Sequence, residues 1–255
     1  MSKYYSQIFF LTLILFLNSH SLYAKFTLGQ NSQDQMEFLF KKNFNWEKDQ
    51  PEIMQLRQLV LKQGPSCVPI LLNVMKQDTF PEKNRWMATF LLGQVMGKKA
   101  SPLLVSYLQH PLWMLRLASL KTLLALKEKN YPLSHSKALK DKSLLVRMQA
   151  LENIQKLKLK TLSSHVWSMF FNPINYHSHQ GITLRMPILS QAIRVLGDLQ
   201  YEKVAPYLLK MIQKKEYDNL VYDIDYGLSK IYHISSVNAG KESKKEFWKK
   251  HQSKL

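Results

Sequence analysis

The chain is poor in cysteine and in acids, and beyond its first residues it has no long apolar run. Cys67 is the only cysteine among 255 residues, so no intramolecular disulfide can form in any redox compartment. A lone thiol of this kind reads as a buried structural residue, because unpaired cysteine is among the most buried residue types. Asp and Glu number 18 against 36 Lys and Arg, a net charge of +18. Between residues 53 and 197 the imbalance steepens, with 20 Lys and Arg against Asp78, Glu82, Glu128, Asp141 and Glu152. Such a field attracts polyanions and anionic surfaces, and salt screens it. A Gly-rich phosphate loop, a nucleophile elbow and a metalloprotease spacing are all missing, so no catalytic, cofactor-binding or metal-binding residue is assigned.

The one long apolar run, Ile8 to Leu17, follows Lys3 and precedes a polar exit ending at Ala24. Residues 1–24 read as a secretory signal. The run is about half the roughly 20 apolar residues that span a bilayer, and no later run is longer. Cleavage is expected after Ala24, leaving no transmembrane segment and a product that is periplasmic or secreted. No cysteine follows the cut, which excludes lipid attachment there.

What the sequence does have is a repeat. Arg85, Arg116 and Arg147 recur at intervals of 31 residues, each followed at offset three by a small residue (Ala88, Ser119, Ala150) and at offset seven by a large aliphatic one (Leu92, Leu123, Ile154). Those offsets share one helical face. Ala192 and Leu196 repeat the pattern after three periods plus 11 residues, as does Pro206 relative to Pro102. The spacing predicts helical pairs over 52–63 and 66–76, 81–96 and 100–108, from 111 with a turn at 130–132, from an N-capping Asp141 to a second helix at 162–171, and over 188–197 and 203–214. A sixth helix is expected at 220–234. Gly and Pro punctuate the helix ends. Residues 25–50 read as an N-terminal extension with a capping stretch at Met36 to Phe40, residues 51–235 as the repeat domain, and residues 236–255 as a linker and capping helix around Phe247 and Trp248. The 11 extra residues fall within 172–187, read as a surface loop not needed for stacking and therefore a place for binding residues.

Three stretches carry a family resemblance: Arg85-x-x-Ala88-Thr-x-Leu91-Leu92-Gly93, Val146-Arg147-x-x-Ala150-Leu-x-Asn153-Ile154, and Ala192-Ile-x-Val195-Leu196-Gly197-Asp198 followed by Val204-Ala205-Pro206-Tyr-Leu208. They resemble the HEAT-like repeats of the phycobilisome-lyase type. Leu189 stands where that pattern has arginine, and Thr79 and His110 stand where it has an aspartate cap. The resemblance implies an all-α fold, a right-handed α-solenoid of about five helical pairs with terminal caps, and a binding scaffold. It also implies that the arginines bond neighbouring carbonyls and an adjoining aspartate. No lyase residue is recognisable.

Several residues are candidates for contact with a partner. Arg116 and Arg147 form either a structural ladder or an anion-binding row. Lys156, Lys158 and Lys160, among the lysines running from Lys121, are expected to be exposed and to meet an anion. Trp86 and Phe90 are i, i+4 neighbours at offsets the repeat leaves on the surface. They form either a docking anchor or a patch covered by Phe40 or Trp46. His177 and His179 flank Ser178 in the insertion; a zinc site there lacks two further ligands. The acids from Glu216 to Asp225 read as a solvated or internally paired face. The expected function is a non-enzymatic scaffold of the cell envelope recognising a protein or an anionic component. The alternative is an enzyme or nucleic-acid-acting protein on the same kind of solenoid, a role that export and the lack of a catalytic acid disfavour.

Overall fold

A computed structural model describes residues 32–179, 182–185 and 187–252, with side chains described over 34–176 and 187–252. The expected signal segment and residues 25–31 lie outside them. Helix α1 (Ser32–Lys41) precedes an alternation of longer and shorter helices. The longer ones are α2 (Gln50–Gln63), α4 (Glu82–Met96), α6 (Trp113–Ala125), α8 (Leu144–Lys156), α10 (Ile188–Asp198) and α12 (Val221–Tyr232). Between them come α3 (Val68–Lys76), α5 (Ser101–Tyr107), α7 (Pro132–Ala138), α9 (Ser163–Ser168) and α11 (Ala205–Ile212), and α13 (Lys241–Gln252) ends the series. The described residues are thus almost wholly helical, as the periodicity predicts.

Each long helix packs against the next long one, and each of α3, α5, α7, α9 and α11 packs against the long helix that follows it. The repeated small residues are the reason. Ala88, Ser119, Ala150 and Ala192 are fully buried, as are Leu92, Leu123, Ile154 and Leu196 one turn further along. Small side chains let the backbones approach while the aliphatic ones fill the space beyond. On α10 and α12, Ser190 bonds Asp223 while Gly197 lies against Gly227, so contact pairs advance together and the two helices run parallel. Cys67 is buried at the position equivalent to Ala100, with its thiol donating to the Gly64 carbonyl at 2.9 Å.

Each long helix from α2 to α12 ends at a residue of positive φ, with ψ of −137° and −142° at Gly64 and Gly97 and of 34° at His233. Gly64, Gly97, Lys127, Lys158, Gln200 and His233 all have φ between 51° and 59°. At the last four, the next amide reaches back five residues to close the helix: Glu128 to Leu123 O at 3.0 Å, Leu159 to Ile154 O at 3.0 Å, Tyr201 to Leu196 O at 3.0 Å, and Ile234 to Ser229 O at 3.2 Å. Orphan carbonyls are thereby satisfied and the chain turns back into the short helix.

Two local expectations are corrected. Asp141 does not cap α8, whose N-cap position is Ser143 and carries no side-chain capping bond. Asp141 instead accepts the Ser143 amide at 2.8 Å and pairs with Arg116. The insertion is also not one surface loop. Residues 173–175 form a 3₁₀ turn with Asn175 buried and its amide donating to Met169 O at 3.0 Å. β1 (Tyr176–His179) and β2 (Ile182–Arg185) then form an antiparallel hairpin. The front of the insertion is built into the core because it supplies the Ile174 carbonyl to Arg147 on α8 and the Asn175 side chain to the Met169 carbonyl just after α9.

The terminal helices each bury an aromatic side chain against the rest of the described chain. Met36 and Phe40 on α1 are fully buried, and Asn84 Nδ2 on α4 donates to Phe40 O and Lys42 O at 2.9 and 2.7 Å. At the other end Trp248 on α13 is fully buried and donates to Asp225 Oδ1 at 2.7 Å, beside the Lys244–Asp225 ion pair at 2.7 Å.

The glycine contact gives a test. A Cβ at Gly197 would sit 2.7 Å from Gly227 Cα, a backbone atom that cannot rotate away, whereas nothing lies within 4 Å of a Cβ at Gly240. Gly197→Ala is expected to cost about 1–3 kcal/mol in urea unfolding, and Gly240→Ala to be near neutral. Equal stability of the two variants would mean that α10 and α12 do not touch there.

Candidate functional site

The arginines are spent inside the fold. Arg85 on α4 donates through Nε and Nη2 to Met75 O at 3.2 and 3.1 Å. Arg116 on α6 grips both Asp141 oxygens at 2.7 and 2.8 Å and donates through Nη1 to His110 O and Pro111 O, each at 2.8 Å. Arg147 on α8 donates to Asp141 O, Lys142 O and Ile174 O at 2.7, 3.1 and 3.1 Å. Only 1% of Arg147 is exposed, and burial lowers its pKa while Asp141 opposes the shift. Each guanidinium ties down the turn that enters its own helix, and Arg116 and Arg147 also hold the following one. The planar fork suits that work. Of the two readings open for Arg116 and Arg147, the bonds observed are those of a structural ladder that organises turns.

Exposed lysines stand at the turns that end α4, α6 and α8. Lys98 and Lys99 lie after Gly97, Lys127 and Lys129 surround Glu128, and Lys158 and Lys160 occupy the next turn; all six are exposed. Glu128 is turned inward and 3% exposed, accepting from Ser101 Oγ and the Asn130 amide at 2.9 Å each. Burial opposes its charge, but the Asn130 amide, Ser101, Lys98 and the Lys129 amide outweigh that, and its pKa lies below the ordinary value. The carboxylate therefore ties two neighbouring turns together and leaves the lysines outermost. Lys160 Nζ likewise reaches Gln200 Oε1 in the following turn at 3.2 Å. Lys156 pairs with Glu152 at 2.9 Å one helical turn before the edge. Lys121 differs, being half-buried with its pKa lowered by burial against the opposing charge of Glu152.

Trp86 and Phe90 are both half-buried, with ring centroids 4.5 Å apart and Trp46 edge-on to Trp86 at 6.4 Å. Of the two readings open for that pair, cover by the N-terminal extension is the one observed for Trp86. A shallow depression lined by Asn43, Phe44, Trp46, Glu47 and Lys83 lies beside it. A second aromatic cluster escaped the sequence reading. Trp167 contacts Phe171 at 5.4 Å and Tyr207 at 5.5 Å, and these two are 70% and 55% exposed. The i, i+4 spacing of Trp167 and Phe171 is the same signal that singled out Trp86 and Phe90. His177 and His179 lie on β1, opposite Leu184 and Ile182 in the hairpin register, and their side chains are outside the described residues. Among the described residues no group of three or more His, Cys, Asp or Glu is placed to hold a metal ion. The acids near residue 220 are paired internally: Asp223 with Arg194 at 3.0 Å, Asp225 with Lys244, and Asp218 with Lys245 at 2.6 Å.

The interior beneath the lysine turns holds a closed polar network. Asn153 Nδ2 donates to Leu120 O at 2.8 Å and to His135 Nε2 at 3.2 Å, while Gln149 Nε2 donates to Asn153 Oδ1 at 2.9 Å. His135 Nδ1 meets Tyr131 O at 3.1 Å, so the neutral ring with its proton on Nδ1 satisfies every partner. A proton on Nε2 would face the Asn153 donor. Burial lowers the His135 pKa from 6.5, against the Tyr131 carbonyl. Below 6.5 the unfolded chain then binds a proton more readily than the folded one, so stability is full above that pH and falls beneath it. The wild type is expected to lose thermal stability between about pH 6.5 and pH 5 more steeply than His135→Asn. Parallel pH profiles of the two melting midpoints would show that the network accepts imidazolium. No protein-family model matches the chain and no curated protein is similar to it, so the functional reading rests on this geometry.

Proposed function

We propose that the chain is a HEAT-like helical-repeat scaffold, a right-handed α-solenoid without enzymatic activity, that binds an anionic partner in the cell envelope. The observation that carries the reading is a local segregation of charge: Arg85, Arg116, Arg147, Glu128 and Asp141 are engaged inside the fold, while Lys98, Lys99, Lys127, Lys129, Lys158 and Lys160 stand exposed at the turns after α4, α6 and α8. Support for a solenoid comes from the packing, in which each long helix contacts the long helix before and after it and the terminal helices bury aromatic side chains over the two ends. The apolar segment from Ile8 to Leu17 supports export. Pairing of Asp218, Asp223 and Asp225 with cations of the same chain favours binding over acid-base chemistry in that region.

The test is salt dependence. Retention of the full chain on immobilised heparin is expected to weaken steeply and linearly in log salt, as counterion release requires. Charge reversal at Lys156, Lys158 and Lys160 is expected to bring elution to markedly lower salt. Retention that ignores both salt and the triple reversal would show that the charge is incidental.

A further inference from the structure

We infer that the edge formed by the left-handed turns binds an extended acidic polysaccharide, engaging the lysines of successive turns along one line; this rests on the repeat stack proposed above. Successive turns occupy equivalent ends of long helices that pack on one another in order, so the lysine pairs recur at the helix-to-helix spacing, about 8–10 Å. From the Lys98 turn to the Lys160 turn is then roughly 20 Å. A partner matched to that row is a linear polymer with a negative group every few ångströms, not a small anion, which one turn would suffice to hold.

The chemistry of the edge selects among polyanions. Its exposed cations in these three turns are lysines, point charges without the planar fork that grips phosphate in two bonds. Single-stranded nucleic acid is held by exposed rings on which bases stack, and a membrane by apolar side chains that enter it. The exposed large apolar side chains among the described residues include none from residues 97–100, 127–130 or 158–162. What remains is charge presented on a line, which suits carboxylate or sulfate groups spaced along a glycan.

The backbone of these turns supplies a way to test the edge. Lys127 and Lys158 hold φ of 51° and 54°, as Gln200 and His233 do at 56° and 57°, in the region that favours glycine. Glycine enters that region without steric cost, and lysine does not. At the first two of these four turns the side chain that bears this cost is an exposed cation.

That conflict supplies a variant whose loss of binding cannot be ascribed to misfolding. Lys127→Gly with Lys158→Gly relaxes both turns and is expected to raise the thermal midpoint while weakening binding. Lys137→Ala with Lys210→Ala removes the same charge from exposed positions on α7 and α11, away from the edge. Binding of the purified full chain to size-graded heparin oligosaccharides is followed by fluorescence anisotropy, with oligo(dT) and phosphatidylglycerol vesicles in parallel. Affinity is expected to climb with oligosaccharide length until the chain spans roughly 20 Å and then to level off. The glycine pair is expected to reduce the salt slope by about two, and the alanine pair to leave it nearly unchanged. Equal weakening by the two pairs would mean that binding follows net charge, which overturns the edge assignment and spares the anionic-partner reading. Tighter binding to oligo(dT) or to vesicles than to any oligosaccharide overturns the partner class. Failure to bind any of the three probes overturns both readings.

Discussion

The close approach of neighbouring long helices is the constraint on which the rest of this fold depends. It is made possible by fully buried Ala88, Ser119, Ala150 and Ala192, and at its tightest by Gly197 against Gly227. Once backbones are that near, the chain must return over a short distance to start the next long helix. Short return helices and sharp turns at both ends follow from that requirement. Six residues of positive φ and, at four of them, closing hydrogen bonds that reach back five residues are the visible result.

Electrostatics divides along the same lines. Arginine sits near the start of three long helices, where it bonds the carbonyls of the incoming turn and, for Arg116, the carboxylate of the next one. A guanidinium can serve several acceptors in one plane and stay charged when buried, which an ammonium cannot do as well. Lysine is found at the opposite ends, beyond the last carbonyls of α6 and α8, where positive charge also complements the helix dipole. The high net charge is therefore two populations: one that builds the stack and one that faces solvent.

Helix number, helix order and the buried small-then-large face were legible in the sequence, because they depend on a periodicity that one strand of text displays. The parts that were not legible depend on partners distant in sequence. Asp141 sits where an N-cap is expected, and only the position of Arg116, 25 residues earlier, makes it an ion-pair partner instead. Residues 172–175 carry loop-like Asn and Pro, yet Ile174 O and the Asn175 side chain are needed by Arg147 and Met169, so they are structural. The left-handed turns at Lys127 and Lys158 were hidden because the usual signal is glycine, and here tertiary context overrides residue preference. Trp167 and Phe171 were visible as a spacing but not as a cluster, since Tyr207 joins them from a different helix.

Rigidity beneath the turns bears on how such an edge could act. Glu128 joins one turn to Ser101 in the turn before it, Lys160 reaches Gln200 in the turn after, and Asn153 carries His135 and Leu120 into the same layer. Turns tied to one another in this way keep the spacing between neighbouring lysine pairs, so a stiff linear ligand of the proposed kind would meet charges already in register. Side chains still pay rotamer entropy on contact, but the backbone carrying them does not have to be ordered. The feature that distinguishes this edge from a merely basic surface is therefore that its acid, Glu128, has been turned inward to fix the spacing.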